Sequence, residues 1–187
     1  VISKNTSERW NIFQQKKAES IISHKGRIHI IIYGAYNPPG DGEHLGEKER
    51  LIKLRDYLRN NGYISTYIVE DFPSDEKSIS SNLDKSFDCL KFADLNILVF
   101  TCRGKTDSVT SELKYVIGNN LLSKCRVFEE THNGIPAMGT LLKEELRTER
   151  YHVVSVEYDN DIDLHEHVLG DVFSFFEKYI RTSRQVN

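Results

Sequence analysis

Short apolar runs alternate with longer amphipathic ones along most of the chain. Residues 27–33, 63–69, 96–101, 126–129 and 152–157 are rich in Ile, Val, Tyr and Phe and are short enough to be strands. In two of these runs, Ile30-Ile31-Ile32 and Ile97-Leu98-Val99-Phe100, every position is apolar instead of every second one. That is the pattern of parallel strands covered on both faces. The segments between them have helical period. Residues 47–60 place Leu51, Leu54 and Leu58 on one stripe, and Gly62 is positioned to stop the helix in the left-handed conformation. Residues 81–92 carry Leu83, Phe87 and Leu90 behind Ser81 as a cap, and residues 107–119 carry Val109, Leu113, Val116 and Ile117. Residues 138–148 predict a further helix. The last helix, over 163–181, opens with Asp163 and Glu166 in capping-box spacing and buries Val168, Val172, Phe175 and Phe176.

Strands alternating with helices imply right-handed crossovers and a parallel sheet. The expected architecture is α/β: a flavodoxin-like three-layer sandwich with a five-stranded parallel sheet, order 2-1-3-4-5, and helices on both faces. Residues 27–187 then form a single α/β domain. Residues 1–26 are an amino-terminal helical extension, helical around 7–22, whose Trp10, Phe13, Ile21 and Ile22 are available to cover the sheet edge or to form a homodimer surface.

At roughly 100–200 residues per domain, 187 residues suit one globular unit. With 25 Lys plus Arg against 28 Asp plus Glu, the near-neutral sum argues against a protein that coats nucleic acid or an anionic membrane. No apolar run approaches the roughly 18–20 residues of a membrane span. Val1–Trp10 lacks the apolar core of a secretory signal, and Cys89, Cys102 and Cys125 form no CxxC pair. These features predict a cytoplasmic protein without a disulfide scaffold or a zinc ribbon. No metal is expected elsewhere either. His165 and His167 fall on different helix faces, and the acidic stretch 157–163 lacks the glycine and glutamate of a calcium loop, having Leu164 and Gly170 there instead.

In a doubly wound sheet, ligands bind beyond the carboxyl ends of the strands, where the winding reverses. The loop after the first strand, Gly34 to Gly42, has neither GxGxxG nor GxxxxGK[ST] spacing, no hydroxyl run and no acidic pair. Dinucleotide, phosphate-loop, flavin and phospho-acceptor functions are therefore disfavoured, and a ligand-free Pro/Gly turn remains open. After the third strand, Thr101 and Arg103 lead into a helix whose first turns hold Asp107, Ser108, Ser111 and Glu112. On a helical wheel Glu112 lies beside Leu113 and Val116, at the margin of the buried stripe. The helix amino terminus favours its ionised form. Such a half-buried carboxylate suits nucleophilic attack or stabilisation of a cationic centre. The plainer alternative is that Glu112 offsets the helix dipole and Asp107 caps the helix.

The stretch Ala93-Asp94-Leu95-Asn96-Ile97-Leu98-Val99-Phe100, followed by Ser111-Glu112-Leu113-Lys114-Tyr115-Val116-Ile117-Gly118, resembles the signature of nucleoside 2-deoxyribosyltransferases. The same fold and glutamate position occur in Toll/interleukin-1 receptor (TIR) domains that cleave NAD. Tyr33-Gly34-Ala35-Tyr36 and the helix through Leu54 to Tyr63 are similar to both groups, including archaeal members of this type. The resemblance implies a nucleoside or nucleotide ligand, NAD among them, no resident cofactor, and cleavage or exchange of an N-glycosidic bond. Glu112 would attack or shield the anomeric carbon, as at a retaining glycosidase. Asp107 matches the family's acidic loop residue, and Tyr33, Gly34 and Tyr36 match the pocket-lining strand. Asp71, after the second strand, is a second carboxylate by geometry alone. The departures are a five-residue spacing from Asp107 to Glu112 where six is usual, and Lys114 where the transferases carry glycine. Arg103 and Lys105 add positive charge suited to a phosphorylated nucleotide. The alternative is a TIR-like nucleotide-binding or signalling module without turnover.

Overall fold

The computed structural model describes residues 4–35, 46–72, 82–158 and 160–183. Among these residues α1 (Lys4–Lys25), β1 (Ile30–Gly34), α2 (Gly46–Asn60), β2 (Thr66–Ile68), α3 (Asn82–Phe92) and β3 (Leu95–Phe100) form the first half. They are followed by α4 (Asp107–Gly118), β4 (Cys125–His132), β5 (Ile135–Pro136), α5 (Thr140–Thr148), β6 (Val154–Glu157) and α6 (Asp161–Ser183). Five strands run parallel in the order β2-β1-β3-β4-β6, with Ile30 opposite Thr66 and Leu95, and Phe128 opposite Val154.

The sheet is not purely parallel as expected. β4 continues to His132 and folds back on β5, pairing His132 with Ile135 in antiparallel register. The turn consists of Asn133 (φ 50°) and Gly134 (φ 75°). Asn-Gly with both φ positive is the preferred two-residue hairpin turn, because its twist matches that of the flanking strands.

All residues of β1 and β3 are buried because helices cover both sides of the sheet. Ile30, Ile32, Leu95, Ile97 and Val99 pack with Leu51, Leu54 and Leu58 of α2 and Val168, Val172 and Phe176 of α6. Ile31, Tyr33, Leu98 and Phe100 point the other way, towards Leu90 of α3, Val109, Leu113 and Val116 of α4, and Leu142 and Leu146 of α5. Each fully buried aliphatic side chain contributes about 1.5–3 kcal/mol. The alternation of Cβ directions along each strand thereby divides the core into two layers.

Helix boundaries follow local chemistry. Gly62 (φ 94°) turns the chain out of α2, and the Tyr63 N–H donates to the Leu58 carbonyl at 3.1 Å. α6 starts earlier than the spacing of Asp163 and Glu166 suggests. The Asn160 Oδ1 accepts the Asp163 N–H at 3.1 Å, making Asn160 the cap and placing Asp163 inside the first turn. α5 begins at Thr140, with the buried Met138 preceding it. The cap assigned to Ser81 lies outside the described residues. α1 is longer than expected at both ends, and residues 8–19 are exposed along it. Its carboxyl-terminal part meets the body through Ile21, and the Gly26 carbonyl just beyond accepts the Ser65 hydroxyl at 2.6 Å. Among the described residues no helix is long and apolar enough to cross a membrane.

Candidate functional site

α3 and α4 lie side by side over one face of β1 and β3, joined by the stacked rings of Phe87 and Tyr115, whose centroids are 4.0 Å apart. This packing carries Glu112 deeper than a stripe margin, leaving it 5% exposed. The Ser86 hydroxyl of α3 donates to its Oε1, and its Oε2 has no partner. Burial raises the Glu112 carboxyl to about 7, with the Ser86 bond opposing the rise and the nearby charge of Glu70 adding to it. Burial thus opposes the ionised form that the helix terminus was expected to favour. Glu112 lies in the second turn, where the terminal dipole is weak and desolvation outweighs it.

Tyr33 of β1 shares this region. Its hydroxyl is buried without a partner, and its ionisation is pushed well above the ordinary phenol value, by burial first and then by Cys89 and Glu112. The Ser108 Oγ, one helical turn before Glu112, is also buried and unpartnered. Three polar atoms from two elements therefore face an apolar interior with unused hydrogen-bonding capacity, which is costly unless a ligand or solvent meets it.

The other expected residues are distributed elsewhere. Asp107 is exposed in the first turn of α4. The Ser111 hydroxyl donates to its own helix, to the Asp107 carbonyl at 2.9 Å. The Thr101 hydroxyl donates to the Arg103 carbonyl at 2.6 Å and so braces the loop after β3. Arg103 is exposed, with its guanidinium 5.1 Å from the centre of the Tyr158 ring. Gly34 packs against Leu51, where an added Cβ would come within 2.8 Å of the leucine methyl carbons. Asp71 is held by Arg55 at 2.7 Å and Arg59 at 3.5 Å. Tyr36 lies outside the described residues.

Glu70, beside Asp71, is the second carboxyl whose charge reaches Glu112. Although exposed at its edge, it is raised by partial desolvation, with its own backbone hydrogen bond and Lys85 opposing. A 3-10 turn over Val69–Asp71 follows β2 and separates the two acids: Asp71 turns to the arginines of α2, and Glu70 to α3 and α4. Ser86 was missed, although its place in the stripe of Leu83, Phe87 and Leu90 at helical spacing was an available signal.

The opposite face of the sheet holds a charged cluster that no motif announced. Arg50 of α2 donates to Glu130 of β4, to Asp161 of α6 at 2.6 Å and to Glu47 at 3.3 Å. Burial works against the Arg50 charge, but the hydrogen bonds to Glu130 and Asp161 outweigh it and hold the guanidinium above its usual range. The second oxygen of Glu130 accepts the Cys102 N–H at 2.7 Å and so ties the loop after β3 to this cluster. Glu129 emerges on the other face and pairs with Lys143 at 2.6 Å. Two successive acids ending an apolar strand, one for each face, were the available signal. A cleft of about 360 Å³ lies between that loop and the β4–β5 hairpin, lined by Thr101, Cys102, Thr106, His132, Pro136 and Ala137. Among the described residues no group of three or more His, Cys, Asp or Glu is placed to hold a metal ion.

The fold and site define an α/β protein with a mostly parallel sheet and a buried, protonatable carboxyl under its crossover helices. The chain matches no protein-family model and no curated protein. Among solved structures it is similar to the CMP N-glycosidase BcmB of Clostridium botulinum, with a TM-score of 0.49 and 13% identity over 75% of this chain and 96% of that one. At that level of similarity no residue correspondence follows.

Proposed function

We propose that the chain cleaves or exchanges the N-glycosidic bond of a nucleoside or nucleotide, with Glu112 acting at the sugar. The observation that carries this reading is the buried Glu112 carboxyl, raised to about 7, with one oxygen unpartnered beside the unpartnered Tyr33 and Ser108 hydroxyls. A carboxyl poised near neutrality in a dry site is suited to a reaction that develops positive charge on a sugar. The sequence resemblance to nucleoside 2-deoxyribosyltransferases and NAD-cleaving TIR domains supports the same chemistry.

In the proposed mechanism the ionised Glu112 Oε2 bonds to the anomeric carbon as the base departs with the glycosidic electron pair. Glu70 supplies the proton the base needs. Water, or a second base in an exchange, then attacks the same carbon and gives its proton to Glu70, and the sugar–Glu112 bond breaks. Arg103 and Lys105 in the loop after β3 favour a phosphorylated substrate over a free nucleoside.

The second reading is a nucleotide-binding or signalling module without turnover. It is favoured by the positions of the two aspartates, since Asp71 is held by arginines and Asp107 faces solvent. Incubation with nucleoside 5′-monophosphates, deoxynucleosides and NAD, followed by chromatography for free base, separates the two. Base release supports cleavage; bound but intact nucleotide supports the module.

A further inference from the structure

We propose that Glu130 is a positioning residue for the cleft between the loop after β3 and the β4–β5 hairpin. It holds both walls so that Arg103 and Lys105 meet the phosphate of a nucleoside 5′-monophosphate, a role that rests on the nucleotide reading above. Glu130 is fully buried and reaches each wall by a different group. Its side-chain Oε2 accepts the Cys102 N–H at 2.7 Å on the loop side, and its backbone carbonyl accepts the Ala137 N–H at 2.9 Å on the hairpin side. Cys102 and Ala137 both line the cleft. The spacing of the two walls is therefore set through one residue.

The loop that Glu130 anchors carries the cations. The Arg103 guanidinium lies 5.1 Å from the centre of the Tyr158 ring, and that ring meets His132 of the hairpin edge-on at 4.6 Å. Tyr158 is itself fixed to β4, its N–H donating to the Thr131 carbonyl at 2.9 Å. Arg103 thus follows the anchored Cys102 directly and rests on a ring that contacts the opposite wall. Arg103 and Lys105 are exposed and open to an anion. A guanidinium already placed loses less freedom on binding than one on a loose loop.

The anchor requires an acid. The other Glu130 oxygen accepts from Arg50, so both oxygens face donors. Glutamine has one acceptor oxygen and an amide nitrogen that only donates, and cannot satisfy both. The bond to the charged Arg50 is the stronger, so in Glu130→Gln the carbonyl stays with Arg50 and the NH2 group faces the Cys102 N–H, donor against donor. Replacing Arg50 as well frees the glutamine carbonyl for Cys102. The double variant Arg50→Met with Glu130→Gln therefore keeps the anchor without the charge. Stability alone does not call for the ion pair, since apolar residues of similar volume often serve it as well.

Titration calorimetry of the full chain tests this, using the 5′-monophosphates of adenosine, cytidine, guanosine and uridine, each against its nucleoside. Exchange of the Cys102 amide proton, followed by NMR, reports on the anchor itself. Glu130→Gln should speed that exchange and weaken monophosphate binding about tenfold or more, while nucleoside binding changes less than about twofold. Where base is released, the loss should lie in KM more than in kcat. The double variant should regain slow exchange and a monophosphate affinity within about threefold of wild type, although it is the less stable protein. A Cys102 amide that exchanges freely in wild type overturns the proposal. So does a Glu130→Gln variant with unchanged monophosphate affinity, an equal loss for monophosphate and nucleoside, or a double variant no better than the single one. A wild type that neither binds nor cleaves any of these compounds overturns the nucleotide reading and this role with it. A wild type that does either, beside an indifferent Glu130→Gln, overturns this role alone.

Discussion

The hydroxyl of Ser86 on α3 donates to the carboxyl of Glu112 on α4, joining two helices over a buried acid. Because that bond favours the charged form, it restrains the rise caused by burial. Ser86→Ala should therefore move the Glu112 titration above about 7. Carboxyl carbon NMR, followed from pH 5 to 9, would locate both midpoints. A downward shift would show that the serine does not favour the ionised acid.

Burial of Glu112 also makes stability depend on pH. Its pKa is raised from 4.5 unfolded to about 7 folded, so between these values the native state binds more protons than the unfolded chain. The site is best tolerated below about pH 4.5, and stability falls as pH rises through about 7, by roughly 3 kcal/mol from this group. Glu112→Gln, which cannot ionise, should lose that component and be more stable than wild type at pH 8. Urea midpoints at pH 5 and pH 8 measure this. Parallel losses in the two proteins would mean the carboxyl is already ionised in the fold.

Removing Arg50 should be among the most damaging single changes. Arg50→Met leaves Glu47 and Glu130, which are 4% and 0% exposed, without their cation. Breaking a buried pair from one side costs about 3–5 kcal/mol. Adding Glu130→Gln should recover part of that loss, because one uncompensated charge disappears. Equilibrium unfolding of the two single variants and the double variant gives the coupling.

Gly34→Ala tests whether that glycine serves packing. The new Cβ would come within 2.8 Å of the Leu51 methyl carbons, and overpacking of this kind costs about 1–3 kcal/mol. In a Leu51→Ala background the same change should cost far less. Equal costs in both backgrounds would separate Gly34 from Leu51.

The fold was largely legible in the sequence because strands buried on both faces must be apolar throughout, as β1 and β3 are. The hairpin was missed although Asn133-Gly134 is its usual signal, because β4 was expected to end at Glu129. The position of Glu112 on α4 was also legible, but its protonation was not. Ionisation depends on how completely α3 covers the acid, and Ser86 contributes to that across 26 residues of sequence. The same limit explains Asp71 and Glu70. They are adjacent in sequence, but the 3-10 turn over Val69–Asp71 sends one to Arg55 and Arg59 and the other towards Glu112.

The most direct measurement is the rate of free-base release from a nucleoside 5′-monophosphate by wild type and Glu112→Gln, with ligand binding measured in parallel. Glu112 acting at the sugar predicts release by wild type, loss of about a hundredfold or more in the variant, and near-equal binding. Equal release by both proteins, or none by wild type across the nucleotide and nucleoside panel, would contradict it.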